Sequence, residues 1–550
     1  MLFSIGLLGA VAITGVLGSV FAKRRVLDWP SHYRLLATAV VGGLIFLAVL
    51  FVCRWLKVSD FDWNQARLAP LFGLRYGYSL YYTAENGPVT GAIYGPISYL
   101  AYFPSLIANA PLPALLIGSI TATIYYFAPI LWIFLSGQFR RGPGRAIGLF
   151  LILIFGIWTI GNPALSYSGF DIHADAPALG LGAAACALLM RKTEWSGRQH
   201  FLRLLCSALL AVLAVYSKQS VIFLLPALTC FVWITDGKRS ALLYAAASGV
   251  LVVAMFGIFA TLFNPHALFF NLYGFPSHQG FGKGYMRFPN RALSSAVSTI
   301  LLTARSLWDY GQWVLLLLAL CYVVEFHLHS TKVAAIEWLR RNRWTVFHFA
   351  AAAGLPASIL FGAKVGGDTN AFSLFLYFGA IGLLLFVGHL ALEHRSIARP
   401  VMTACLILVI ALIPAAMISI DVPTLIREMR SSHTEQVYEY EKKHPGEVYF
   451  SFFPLPTLMA ERRLYHFEYG VFDRELGGAR VSATHFFRYV PPDLKFVQRY
   501  PQNSPVLEYL PQFTCKTPQP AFDGLVLYGK CDGNNDQKKT YPSVALDFHR

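Results

Sequence analysis

Two carboxylates, Asp60 and Asp62, open a polar, aromatic segment that runs to Tyr102 (DFDWNQARLAPLFGLRYGYSLYYTAENGPVTGAIYGPISYLAY) and lies between two long apolar runs. They follow the run that ends near Leu56, where a side chain can touch both water and lipid. A carboxylate in such a partly desolvated place holds its proton more tightly and can act as general base on a sugar hydroxyl or another weak nucleophile. Either acid alone could instead cap the helix that begins near Trp63. Of the pair, we read at least one as catalytic.

Four further segments carry residues able to do chemistry. FDIHADAPALGLG, Phe170 to Gly182, places His173 and Asp175 two apart at a helix start, pointing different ways unless that start is irregular. With a first-loop Asp they could hold a divalent cation through hard oxygen ligands; helix capping by Asp171 or Asp175 is the preferred alternative. AVYSKQS, Ala214 to Ser220, interrupts an apolar run with Lys218, which is costly in lipid and therefore a functional candidate unless it snorkels to the interface. In AKVGGDTNAFSLFLYFG, Ala363 to Gly379, backbone amides freed by Gly366 and Gly367 together with Lys364 can make an anion site; the plainer reading is a tight turn capped by Asp368 or Thr369. The loop 264–308 holds His278, Lys283, Tyr285, Arg287 and Arg291 among glycines and aromatics. Its cations can pair with phosphate and its rings can stack on sugar faces, or the loop can serve as a lid.

The elements that must position these residues are membrane helices. The chain has 550 residues, 56% hydrophobic and 13% charged, with a mean hydropathy of +0.51, which excludes an ordinary soluble enzyme. Runs near 2–22, 34–56, 111–136, 146–162, 172–190, 240–263, 309–327, 347–361, 373–392 and 400–420 are long enough to cross a bilayer. The stretch 204–235 supplies two more if it reverses at Ser217 to Ser220, giving about twelve spans. The run 2–22 lacks the basic flank and cleavage site of a signal peptide and is read as a retained span.

The net charge of +16 follows topology rather than nucleic acid. Lys23 to Arg25, Arg140 to Arg145, Arg191 to Arg203, Lys238 and Arg239, Lys332 to Arg343, and Arg395 and Arg399 mark alternate connections, which the positive-inside rule assigns to the cytoplasm. The first loop (57–110), the loops 264–308 and 362–372, and the tail are then extracytoplasmic. Basic residues in those outer loops run against the bias and point to an anionic ligand. Residues 1–420 are read as a helical membrane module and 421–550 as an extracytoplasmic α/β or β-rich domain, because its prolines and short strand-like runs argue against another bundle. Six cysteines lie in or beside spans as packing residues. Cys515 and Cys531 are a pair in the tail that an oxidising compartment would allow to join. No spacing suits zinc.

The order of these segments resembles the GT-C superfamily, polytopic glycosyltransferases that take sugars from polyprenyl-phosphate carriers. The matching residues are Asp60 or Asp62, then Ala66 and Arg67, then Gly77 to Tyr82, then Tyr94 to Pro96. The chain has Tyr-Gly-Pro where many members have Tyr-Pro-Pro, and it has two candidate acids, of which Asp62 lies nearer the Ala-Arg pair. The acidic opening of the fifth span, the Lys218–Gln219 pair, and Gly-Gly-Asp-Thr-Asn as a Gly-x-x-Asn element also match. The resemblance covers about 34–420. It implies an all-α polytopic bundle in the plasma (inner) membrane and transfer from a polyprenyl-phosphate-sugar donor, with inversion, to a glycan, lipid or protein hydroxyl. In that reading Asp62 or Asp60 is the base. Lys364, Asn370, Lys218, Arg287 and Arg291 meet the donor phosphate, and Arg67, Tyr82, Tyr94, His173, Asp175 and Asp368 meet substrate. A divalent cation is a possible cofactor. The rivals are a transporter or lipid-linked-oligosaccharide flippase, whose polar residues should gather at midplane in two similar halves, and a glycan ligase or polymerase.

Overall fold

A computed structural model describes residues 31–57, 62–140, 142–191, 197–281, 296–328, 335–365, 367–393, 433–498, 505–517 and 526–530. Among these, eight helices are long and apolar enough to cross a membrane, or nine if a bent pair counts as one span. The chain is a multi-pass membrane protein. Of the twelve expected spans, 2–22 and 400–420 lie outside the described residues. The expected span 172–190 is not a simple crossing. It is the second arm of a pair, α5 (Pro163–Phe170) and α6 (Asp175–Met190), bent by 93° at residues 171–174.

The bundle is built around α12 (Ser373–Glu393). In its apolar window 94% of residues are buried inside the protein, against 17% for α9 (Lys238–Leu262), which therefore faces lipid. Lipid is as apolar as leucine, so membrane helices associate through close packing of small residues rather than through water exclusion. Gly180 in α6 shows this: a Cβ there would come 2.0 Å from the Tyr125 carbonyl oxygen of α3 (Pro111–Phe134).

One buried ionic cluster fixes the direction of the helices. Asp236, at the end of α8 (Leu224–Asp236), accepts from Arg203 near the start of α7 (Gly197–Ser217) at 2.8 Å and from Arg343 at 2.6 and 2.9 Å. The beginning of one helix and the end of the next thus meet, so the chain does reverse between them, as expected, and Lys218 lies at the opposite end of the bundle. The first-loop helix α2 (Asp62–Arg75) and the turn between α11 (Val346–Gly362) and α12 share that end with Lys218.

The C-terminal region has a four-stranded sheet of order β1-β2-β4-β3, formed by Val448–Tyr449, Phe496–Gln498, Phe513–Thr517 and Leu527–Lys530. The first pairing is parallel and the other two antiparallel. With α13 (His433–Lys443), α14 (Pro454–Glu461) and α15 (Glu468–Leu476) it makes a mixed α/β region. Cys515 is disulfide-bonded, and Cys531 lies outside the described residues. Leu455, Leu458, Met459 and Phe467 pack into one apolar cluster with Leu68, Ala69, Leu71 and Phe72 of α2. Seating the tail on the first-loop helix removes both apolar faces from water, at roughly 25 cal/mol per Å² buried.

Candidate functional site

The bend at 171–174 gives the helix opening at Asp175 the irregular start that the His173–Asp175 spacing required. Tyr102 pins it by donating its hydroxyl to the His173 carbonyl at 2.6 Å and accepting from the His173 amide at 3.1 Å. The His173 and Asp175 side chains therefore meet instead of diverging, with Nδ1 2.6 Å from Oδ2. Lys218 forms an ion pair with the other oxygen, Oδ1. Asn370, from the turn before α12, donates Nδ2 to Oδ2 at 2.9 Å. All of these side chains are buried or nearly so. Three segments far apart in the chain thus converge on one carboxylate.

The remaining ring nitrogen of His173 lies 3.1 Å from the Tyr94 hydroxyl. Burial pushes the Tyr94 phenol up to about 12, with Arg67 working against it, so the hydroxyl keeps its proton. The consistent tautomer has His173 donating from Nδ1 to Asp175 and accepting from Tyr94 at Nε2. Tyr94 in turn supports Arg67, whose guanidinium lies 4.7 Å from the Tyr94 ring centre and 5.0 Å from that of Trp63. Arg67 Nη1 donates to the Gly91 carbonyl at 2.9 Å. A guanidinium between two rings is held by its planar face, which an ammonium would not reproduce.

The C-terminal region reaches this cluster. Tyr469 stacks on Trp63 with ring centres 3.7 Å apart. Asp473, one turn further along α15, is 6% exposed and sits within electrostatic range of Arg67 and Tyr94. Burial raises its carboxyl to about 6 against the pull of Arg67.

Some expected residues lie elsewhere. Lys364 donates to the Pro276 carbonyl at 3.3 Å and pairs as backbone with Phe281, so it ties two loops together rather than reaching Asp175. Asp368 accepts from the Thr369 amide and caps the turn Thr369–Phe372, which bears out the plainer reading of that residue. Tyr82 accepts from the Ser79 amide at 3.0 Å and lines a narrow crevice with Val89, Gly91, Asn271 and Arg474. Asp171 accepts from Asn64 at 3.1 Å, while Asp175 caps nothing; it is spent on Lys218, His173 and Asn370. Asp62 is the first residue of α2, and Asp60, Lys283, Tyr285, Arg287, Arg291 and Gly366 lie outside the described residues.

Among the described side chains Asp175 is occupied rather than open to a divalent cation, and the first-loop acids that would complete such a set lie outside them. The Lys218 ammonium already holds one Asp175 oxygen, and two donors hold the other. Among the described residues no group of three or more His, Cys, Asp or Glu side chains could hold a metal ion.

ArnT from Cupriavidus metallidurans, solved bound to undecaprenyl phosphate, aligns over 89% of this chain and 98% of its own, with a TM-score of 0.50 and 11% sequence identity. The chain therefore shares the fold of ArnT. The Archaeoglobus fulgidus oligosaccharyltransferase in its apo form also aligns, with a TM-score of 0.37 and 13% identity over 83% of this chain and 69% of its own. No family model matches the chain, and no curated protein matches it significantly. Of the residues singled out from the sequence, the fold brings Arg67, Tyr94, His173, Asp175, Lys218 and Asn370 into one cluster. Sequence reasoning missed Trp63, Asn64, Gly91 and Asp473. Asp473 gives no sequence signal because EYGVFDREL reads as any charged surface helix.

Proposed function

We propose that this protein is a glycosyltransferase that moves a sugar from a polyprenyl-phosphate carrier to an acceptor hydroxyl on the extracytoplasmic side of the plasma (inner) membrane. The observation that carries the reading is the convergence of Arg67, Tyr94, His173, Asp175, Lys218 and Asn370 at one end of the bundle, beneath the first loop. A fold shared with a protein solved around undecaprenyl phosphate supports the choice of donor. Residues 1–420 form the transferase module, and 421–550 a domain that covers the site.

Asp62, or Asp60, takes the acceptor proton as its oxygen attacks the anomeric carbon in line. The new C–O bond forms as the bond to the phosphate oxygen breaks, with inversion, and polyprenyl phosphate leaves with the electron pair. Charge grows on the phosphate as it departs, so a cation fixed beforehand stabilises the transition state more than the ground state. Arg67 is the guanidinium of this cluster, and its buried Nε has no partner among the described residues, which leaves it donor capacity to spare. The Lys218–Asp175–His173–Tyr94 chain holds the ring beneath it. We assign Arg287 and Arg291, cations of the outer-loop sequence 264–308, to the carrier phosphate, together with Lys364 once the carrier draws it from the Pro276 carbonyl. Polar groups gathered at one end favour a transferase over a transporter, whose site belongs at midplane.

The test is transfer of radiolabelled sugar from a purified polyprenyl-phosphate donor into membrane extract, comparing the wild type with Asp62→Asn and Asp60→Asn. One substitution should abolish transfer; two fully active, folded variants would remove both acids from the mechanism. Movement of substrate into liposomes without bond formation would favour the transporter.

A further inference from the structure

Asp473 and Arg67 are opposite charges, both buried, that interact electrostatically yet form no ion pair within 4 Å. Each also has an unmet polar atom: among the described residues neither the buried Asp473 Oδ2 nor the buried Arg67 Nε has a hydrogen-bond partner. Leaving two such atoms unpaired costs about 1–3 kcal/mol each, a cost proteins seldom bear without a use.

The surrounding backbone holds the two groups apart. Gly91 has φ +65°, a left-handed conformation that suits glycine, and its carbonyl takes Arg67 Nη1. The α15 backbone comes directly against this turn: a Cβ on Gly470 would lie 2.6 Å from both the Gly91 nitrogen and the Val89 oxygen. Phe467 donates its amide to the Val89 carbonyl at 2.8 Å. Arg474 donates to the Ala84 and Thr83 carbonyls at 2.8 and 3.2 Å. Gln279 holds the Asp473 backbone carbonyl at 3.5 Å. Asp473 is thus fixed on the loop by backbone contacts that leave its carboxylate free. Meanwhile Trp63 and Tyr94 hold the guanidinium, with Tyr99 as a further neighbour.

A group that satisfies both atoms must donate to a carboxylate and accept from a guanidinium. A hydroxyl does both; a phosphate oxygen cannot donate when ionised, and an ammonium cannot accept. We propose that Asp473 is a substrate-binding residue contributed by the C-terminal region, and that with Arg67 it takes one sugar hydroxyl at this site. The raised carboxyl of Asp473 agrees with a group waiting for a donor. This assignment rests on the glycosyl-transfer reading and adds a specificity element to it. The hydroxyl belongs either to the sugar on the carrier or to a saccharide acceptor.

The full-length protein in lipid nanodiscs is tested as wild type, Asp473→Asn and Asp473→Leu, with three readouts. In label transfer, both variants should lose at least ten-fold in kcat/KM. A rise in KM for the sugar-loaded carrier assigns the hydroxyl to the donor, and a rise for the membrane extract assigns it to the acceptor. Binding of sugar-free undecaprenyl phosphate should stay within two-fold of wild type; an equal loss there would overturn the assignment. Thermal stability should fall only slightly in both variants, by the lost attraction to Arg67, because no hydrogen bond or close ion pair among the described residues is removed; a large drop would make Asp473 a docking residue and sink the idea. If the wild type transfers no label, the transfer reading fails by itself, and the stability result still decides between a structural and a waiting carboxylate.

Discussion

Lys218, at the tip of a helical hairpin, is ion-paired with Asp175, 43 residues earlier, at the opening of the second helix of a bent pair. Each explains how the other can be buried. A lysine or aspartate alone at this depth would carry a desolvation cost that its own fold could not offset.

Lys218→Met should therefore be far more damaging than its volume suggests, because it leaves Asp175 buried without its cation. We expect a loss of about 3–5 kcal/mol, read as a large fall in thermal stability in detergent. Adding Asp175→Asn should recover a good part of it. A double variant no more stable than Lys218→Met would mean that the pair is not what holds these two residues in place.

Arg67→Lys keeps the charge but loses the flat face that sits between Trp63 and Tyr94, together with the bond to Gly91. Transfer should drop by roughly ten-fold or more while the protein stays folded. Tyr94→Phe keeps the ring and removes only the hydroxyl facing His173, a change worth about 1 kcal/mol, so several-fold slower turnover is expected. Steady-state rates for the two variants should fall in that order.

Gly470→Ala sets a methyl against the Gly91 and Val89 backbone, where atoms lie 2.6 Å away. Backbone cannot yield as a flexible side chain does, so α15 must lift from the loop. A cost of about 1–3 kcal/mol should appear as faster proteolysis of the C-terminal region and weaker transfer. Unchanged cleavage would show that the contact is looser than described.

Glu441, fully buried beside Glu461 and Thr457, is raised to about 11 by its burial first and then by Glu461. Glu461 already accepts from the Gly446 amide at 2.7 Å and the Tyr465 hydroxyl at 2.6 Å. Because the folded carboxyl lies above its unfolded value of about 4.3, its contribution to stability is complete below that pH and is lost as pH rises toward about 11. Glu441→Gln copies the protonated form without a proton to lose. Its stability should exceed wild type at pH 8 and converge with it near pH 4 in thermal melts. Curves parallel across this range would contradict the protonated assignment.

Much of the architecture was legible from hydropathy because a span is a local property: some twenty apolar residues must be helical in lipid whatever surrounds them. The reversal at Ser217 to Ser220 could be read for the same reason. Local composition could not show that 163–190 is a pair of helices bent by 93°, since the kink depends on Tyr102 and Asn64 from the first loop, which bond residues 171–173.

The sequence alone determined which polar residues had to be accounted for. A lysine or histidine among apolar neighbours is costly enough to stand out wherever it is, so His173, Asp175 and Lys218 were named from their surroundings, whereas Arg67, Tyr94 and Asn370 were named from the family resemblance. Only the tertiary structure decided their partners: Asp175 is shared by Lys218, His173 and Asn370, whereas Lys364 and Asp368 serve the loops. It also brought in Asp473, whose surface-like helix becomes buried only when docked on α2 and the turn at Gly91. Burial and pairing are sums over long-range neighbours, and a chain read in order does not contain those sums.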